Sequence, residues 1–204
     1  VSQHVELFSS AQGVTLEEIE GDDFHLRRNM LEYDPPEHTR YRRLVSKPFS
    51  RREVYGYEDG IRDLARSVVL EARELGDRFD YTEKIAKQLP MRMLGRMLGV
   101  PDSDGDWLVK QGDALLGNLD PEMTEWAVGY TDTDQFKHIP FRSPAALELY
   151  EYAEQQEEMR RACPAHDLIS ALMAPTIDGE RLTDLQFKNL FVLMISAGND
   201  TSRY

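Results

Sequence analysis

The sequence has one cysteine, no apolar run long enough to cross a bilayer, and far fewer basic than acidic residues. Cys163 alone can form no intramolecular disulfide and no cysteine-based zinc site, so the sequence favours a reducing compartment, the cytoplasm. A transmembrane helix needs roughly 20 apolar residues, which argues against a membrane protein here. The 24 Lys and Arg against 37 Asp and Glu give a net charge of −13, which argues against nucleic-acid binding.

Runs of alternating polar and apolar residues, the signal of β-strands, are also missing. Apolar residues instead recur at helical spacing, notably over residues 61–75 and 85–97, which predicts a mainly α single domain over residues 1–204. The Glu-rich stretch 143–161 is predicted to be a solvent-facing helix. Residues 11–28 and 120–144 are predicted to be largely irregular, and the first of these to hold at most one helical turn.

The most informative stretch lies near the end of the sequence. Residues 183–186, TDLQ, fit a capping box, in which a hydroxyl and a side-chain amide cap each other's backbone N–H groups. The box predicts a helix from about Thr183 to the end of the sequence. The apolar run from Leu190 to Ile195 within it is predicted to be buried in the core.

Small and polar residues follow that apolar run. Gly198 lacks a side chain, Asp200 supplies a carboxyl, and the Thr201 hydroxyl can bond back to the carbonyl of Ala197 and open the helix locally. We interpret this as a hollow in a core helix, lined by an acid and an alcohol and suited to a small polar guest that needs protons. An ordinary buried helix that frays at its end is the alternative.

A second stretch, residues 34–46 with the sequence DPPEHTRYRRLVS, begins like a helix. Asp34 followed by two prolines is typical of a helix start, and Pro48 predicts an end near Ser46. His38 and Arg42 are four residues apart and therefore share one helix face. We predict that they point inward at a bound anion.

Residues 38–52 contain six Lys or Arg and no acid, and we call them the basic segment. Arg40, Arg43 and Lys47 lie on a different helix face from His38 and Arg42. We predict that this second face points outward at an acidic partner. A solvated helix face without a partner is the alternative.

Together the two stretches resemble those of bacterial cytochrome P450, the haem-thiolate monooxygenases. The resemblance rests on residues 34–46 with Phe49 and, far downstream, on AGNDT at 197–201. LP at 89–90, LGVP at 98–101 and DGERLT at 178–183 are similar to connecting segments of that family, in the same order. The resemblance covers essentially the whole chain and implies the helical domain of that family.

The resemblance implies a haem b cofactor and dioxygen chemistry. His38 and Arg42 would bind the haem propionates, and the last helix would cross the distal face of the haem. Ala197 and Gly198 would lie over the iron and leave room for dioxygen. A further pair, Asp200 and Thr201, would relay protons to the bound oxygen.

The resemblance also implies a small apolar substrate of the sterol, terpenoid or fatty acyl class, beneath the two irregular stretches. The residues expected to line its pocket are Val14, Leu193 and Ala197. The outward face of the basic segment, Arg40, Arg43 and Lys47, would meet an acidic ferredoxin that donates electrons.

The sequence departs from this family at the haem ligand. The family's ligating cysteine lies in a Gly-rich loop beyond the distal helix, after a Glu-x-x-Arg pair, and neither is present. Cys163 precedes that helix and lacks the loop's glycines, so we do not expect it to bind iron. We therefore expect a partial domain, truncated before the haem-thiolate half, with no metal ligand of its own and no turnover by itself; the axial cysteine would lie beyond residue 204.

Two functions of different classes follow from these features. The first is a monooxygenase, and the second is a non-catalytic helical module that binds an acidic protein through the basic segment. The acid–alcohol pair favours the first, because a binding module has no need of such a pair in its core. Peroxide-driven or isomerase chemistry on the same scaffold is disfavoured, since such members often alter that pair.

Overall fold

The computed structural model describes residues 4–15, 21–175 and 179–199. Within these ranges it contains helices and connecting segments but no β-strand, which confirms the mainly α class. The α-helices are α1 (Asp22–Arg27), α2 (Glu37–Ser46), α3 (Arg51–Gly56), α4 (Glu58–Arg73), α5 (Gln88–Leu98), α6 (Gly105–Leu116), α7 (Pro144–Ala162), α8 (Leu168–Leu172) and α9 (Asp184–Asn199). In the parts of the chain so described, no helix is both long and apolar enough to cross a bilayer.

The centre of the core is α9. Its residues 190–196 are all buried, because α5, α6 and α7 pack around it. A helix that is apolar on every side is stable only when neighbours cover every side. The predicted burial of this run is therefore confirmed.

The capping box at the start of α9 is also confirmed. The Gln186 backbone N–H donates to Thr183 Oγ1 at 3.2 Å, and the Thr183 N–H donates to Gln186 Oε1 at 2.9 Å. These bonds satisfy two of the backbone donors that a helix start leaves without partners. The helix begins at Asp184, one residue from the predicted position.

The second predicted helix, α2, ends at Ser46 as expected but begins at Glu37 without a side-chain cap. Asp34 instead accepts hydrogen bonds from Ser9 Oγ at 2.5 Å and from the Ser10 N–H at 2.9 Å. These bonds lower the pKa of the Asp34 carboxyl. Asp34 therefore anchors the N-terminal segment to the start of α2.

The helix α7 differs from its prediction as a solvent-facing helix. One side of it is buried against α9 and carries mainly alanines: Ala145, Ala146, Leu149 and Ala153. Alanine contributes weakly to a hydrophobic pattern, so the glutamates of the other side dominate the sequence signal. In the structure the small side chains allow the two helices to approach closely.

A buried arginine joins three helices at one end of the core. Arg160 of α7 is 8% exposed, and its Nη2 lies 3.0 Å from Asp167 Oδ2 and donates to the Gly99 carbonyl at 2.5 Å. Asp167 also caps α8, where it accepts from the Ser170 N–H at 2.8 Å. The C-terminal residue of α5 is followed by Gly99 at φ +79°, a left-handed conformation that favours glycine. A single ion pair thus connects the end of α5 with α7 and α8.

Candidate functional site

A mainly apolar cavity of about 480 Å³ lies beside α9. Val14 and Leu193, predicted from the sequence to belong to one pocket, both line it. Ala197, the third residue of that prediction, is not among the described residues that line the cavity. Residues 27–32, the end of α6 and the turn at 140–141 supply most of the remaining wall. The volume lies within the range of small-molecule sites in proteins.

The wall at residues 140–141 has an unusual backbone. Phe141 and Arg142 have φ values of +60° and +46°, a left-handed conformation that is uncommon for residues other than glycine. Asn118 Nδ2, which follows α6, donates to the Phe141 carbonyl at 2.6 Å and so holds this turn against the cavity. Asn118 could not be selected from the sequence, because no local pattern connects it with a residue 23 positions away.

The two small residues in the last described turn of α9 face different directions. Ala197 is exposed, although residues 190–196 and Asn199 are buried. It lies one turn after Leu193 and therefore on the cavity side of the helix. The structure thus leaves a small, accessible position next to the cavity.

The neighbouring glycine, Gly198, faces α5 instead. A Cβ at this position would lie 2.5 Å from Leu94 Cδ2 and 3.3 Å from Leu94 Cγ. The absent side chain therefore allows α9 to approach α5. The packing against Leu94 is a structural reason for this glycine that the sequence did not reveal; room for dioxygen at Gly198 and its contact with a haem stay predictions.

The last described residue of α9 belongs to a polar chain. Asn199 is 1% exposed, and its Nδ2 donates to Asp113 Oδ1 of α6 at 3.1 Å, while Lys87 Nζ lies 2.9 Å from Asp113 Oδ2. Burial lowers the pKa of Lys87, but hydrogen bonds to Glu83 and Asp113 outweigh it and raise that pKa overall. The cation is therefore retained, and it fixes the carboxylate that holds Asn199. Sequence analysis assigned no role to Asn199.

His38 and Arg42 lie one turn apart on α2, as predicted. His38 is half-buried and Arg42 is exposed, and neither side chain forms a hydrogen bond or an ion pair within the described ranges. Two neighbouring nitrogen-bearing side chains that form no hydrogen bond in the described parts of the chain, one of them a guanidinium, suit a ligand that carries two carboxylates.

The face of α2 predicted to meet an acidic partner is partly engaged within the chain. Arg40 Nη2 pairs with Glu180 Oε2 at 2.5 Å, close to the start of α9. Arg43 and Lys47 are exposed. Of the three predicted contact residues, these two present their charges to solvent, whereas Arg40 contributes to an internal ion pair.

Comparison with known proteins places these features in a family, although no family model matches the chain. The steroid C26-monooxygenase of Mycobacterium tuberculosis is 31% identical over 208 residues, which cover all of this chain and 45% of that protein. The methyl-branched lipid omega-hydroxylase of the same organism is 29% identical over 204 residues, 99% of this chain and 45% of that protein. A solved structure of a Mycobacterium marinum cytochrome P450 in complex with pseudoionone superimposes with a TM-score of 0.80 and 34% identity, over 96% of this chain and 45% of that chain.

The chain belongs to the cytochrome P450 family. The predicted family and helical fold are thereby confirmed, and the P450 chain spans about 45% of the length of the relatives that it matches. The acid–alcohol pair, Asp200 and Thr201, lies outside the described residues and stays a prediction. The cysteine of this P450 chain, Cys163, is exposed, and no group of His, Cys, Asp and Glu able to hold a metal ion occurs in the described parts of the chain.

Proposed function

We propose that this P450 is a haem-dependent monooxygenase that hydroxylates an apolar small molecule, using dioxygen and electrons from a ferredoxin. One arrangement carries the proposal: α9 places Leu193 in the wall of an apolar cavity and the exposed Ala197 one turn later on the same side. The acid and the alcohol at 200 and 201 follow immediately in the sequence. The names of the two mycobacterial relatives support a steroid or a branched lipid as the substrate class.

The residues of this chain fit a haem b at two places. We propose that His38 and Arg42 bind its propionates, since neither side chain forms a hydrogen bond or an ion pair within the described ranges. Ala197 offers a small exposed position directly after the buried run 190–196, where a flat macrocycle could lie close, and Gly198 follows it. When bound, haem supplies the activation of dioxygen, which no amino-acid side chain can supply.

Proton delivery is the proposed task of Asp200 and Thr201. A carboxyl takes up protons from solvent, and a neighbouring hydroxyl can accept one and pass another toward the dioxygen site. The hydrogen bond between Asn199 and Asp113 supports this task, because it holds the turn of α9 that leads directly into the pair.

An acidic ferredoxin is the proposed electron donor. Arg43 and Lys47 are exposed, and so are Arg51 and Arg52 at the start of α3, so the basic segment presents several positive charges to solvent. Attraction of this kind speeds association and weakens as salt is added. A cytoplasmic location, expected from the single cysteine, stays a prediction.

The spectrum of the reduced, carbon-monoxide-bound full-length protein tests the proposed function. A thiolate-ligated haem gives a red-shifted Soret band, and we expect that band. A purified protein that takes up no haem, but binds an acidic protein in a salt-sensitive manner, would contradict the monooxygenase and favour the binding module.

Replacing either predicted propionate ligand is expected to weaken haem binding. Hydrogen bonds to charged groups contribute about 1.5–3 kcal/mol, so His38→Leu and Arg42→Leu should each lower haem affinity by about 10-fold or more. The affinity is measured by the rate of haem transfer to an acceptor protein. Arg43→Leu is the matched control on the same helix, and it should retain haem but slow electron transfer from the ferredoxin. Parental haem affinity in both test variants would remove His38 and Arg42 from the site.

A further inference from the structure

A polar side chain interrupts the apolar face of α9 one turn before Leu193. Asn189 is 2% exposed, and its Nδ2 donates to the carbonyl oxygens of Leu26 at 2.8 Å and of Arg28 at 3.1 Å. Its Oδ1 accepts from the hydroxyl of Tyr150 on α7. Three hydrogen bonds therefore hold this amide between α7 and the C-terminal end of α1.

The orientation of the Asn189 amide follows from its partners. Carbonyl oxygens only accept hydrogen bonds, so the NH₂ group must face Leu26 and Arg28, and the amide oxygen faces Tyr150. Burial raises the pKa of Tyr150, which keeps its hydroxyl protonated and able to donate. Since both NH₂ bonds end on main-chain atoms, they fix the path of the backbone at residues 26–28 whatever side chains that segment carries.

The segment held in this way leads directly into a wall of the cavity. Arg27, Asn29, Leu31 and Glu32 line the cavity. The turn at 29–32 is closed by a capping box, in which the Asn29 N–H donates to Glu32 Oε2 and the Leu31 N–H donates to Asn29 Oδ1, both at 3.0 Å. Hydrogen bonds within the turn therefore define the shape of this wall, and Asn189 links it to α9.

We propose that Asn189 is a positioning residue that sets the width of the substrate cavity, and through it the choice of substrate. This inference rests on the proposed monooxygenase function. Asn189, Leu193 and Ala197 occupy successive turns of α9 on one side. The positions of the wall, of the cavity and of the exposed residue beside it therefore all depend on α9. A displacement of the wall by about 1 Å is enough to change how a bound molecule is presented for reaction.

A matched pair of variants separates this role from a general contribution to folding. Asn189→Asp keeps the size of the side chain and its bond from Tyr150, but replaces the NH₂ donor that faces Leu26 and Arg28 by an oxygen. Tyr150→Phe has the opposite effect, because it removes the hydroxyl and leaves both bonds to the main chain. Both variants can lower stability, but only the first releases the cavity wall.

The probes are imidazole and 1-alkylimidazoles of increasing chain length, bound to the haem-loaded full-length protein and followed by the Soret shift. Imidazole reports on access to the iron, and the alkyl chain reports on the cavity. Asn189→Asp should lower the affinity for the longest alkylimidazole by about 10-fold relative to the affinity for imidazole. It should also change the chain length that binds most tightly. Tyr150→Phe should leave the ratio of these two affinities within about twofold of the ratio in the parent protein.

Asn189→Leu, which also lacks the donor but buries no charge, serves if the aspartate variant does not fold. The parental ratio and chain-length preference in a folded, haem-loaded Asn189 variant would overturn the inference. An equal change in Tyr150→Phe would also overturn it, and so would failure of both Asn189 variants to fold, because the residue would then serve the fold in general. A parent that binds no haem would refute the proposed function instead, which is a separate outcome.

Discussion

Arg160→Met is expected to lower the free energy of unfolding by about 3–5 kcal/mol, the usual effect of breaking a buried ion pair from one side. The guanidinium group is the cation beside the Asp167 carboxylate, whose side chain is 7% exposed. It also donates to the Gly99 carbonyl at the end of α5. Methionine has a similar length but can do neither, so a buried charge and a buried carbonyl both lose their partner.

The neighbouring residue provides the control for this prediction. Arg161 pairs with Glu157 at the surface, with its own side chain 64% exposed, and Arg161→Met should change stability by less than about 1 kcal/mol. Urea unfolding of the purified protein, followed by circular dichroism, measures both variants. Asp167→Asn should resemble Arg160→Met, because it breaks the same pair from the other side. If Arg160→Met lowers the free energy of unfolding no more than Arg161→Met does, the pair between Arg160 and Asp167 contributes little to stability.

Thr201→Ala is expected to reduce the product formed per electron consumed by about 10-fold or more, since a general acid–base group contributes about 10²–10⁴-fold to a rate. Without the hydroxyl beside Asp200, protons no longer reach the dioxygen site in the geometry that product formation needs. Dioxygen that has received two electrons and two protons then leaves as hydrogen peroxide. The measurement compares NAD(P)H consumed through the ferredoxin system with product and peroxide formed.

The adjacent hydroxyl gives this experiment its control. Ser202→Ala removes a hydroxyl one residue later and should leave the ratio of product to electrons unchanged. Thr201→Ser keeps a hydroxyl and should recover much of the lost coupling. If Thr201→Ala forms product as efficiently as the parent, Thr201 has no part in proton delivery.

Features encoded within a few residues could be predicted from the sequence. The start of α9 depends on Thr183 and Gln186, three residues apart, and the end of α2 depends on Pro48. The burial of residues 190–195 follows from their composition alone. Val14 and Leu193 share a cavity as predicted, but that prediction came from family resemblance, since their separation of almost 180 residues leaves no local signal.

Features that depend on distant partners could not be predicted. Gly198 is explained by Leu94, and Arg40 is engaged by Glu180, more than 100 residues away in each case. Asn189 bonds to main-chain atoms at the C-terminal end of α1, which any sequence at those positions would present. A polar residue next to an apolar run is a signal in the sequence, but it does not reveal the partner.

The alanine side of α7 has a consequence for how the cavity adapts. Alanines lose no rotamer freedom when they are buried, so the contact with α9 forms at little cost in conformational entropy. Closely packed helices of this kind cannot slide without losing contacts along their whole length. The helix that carries Leu193 and Ala197 is therefore a fixed reference for the cavity, whose other walls include Val14 and Phe141.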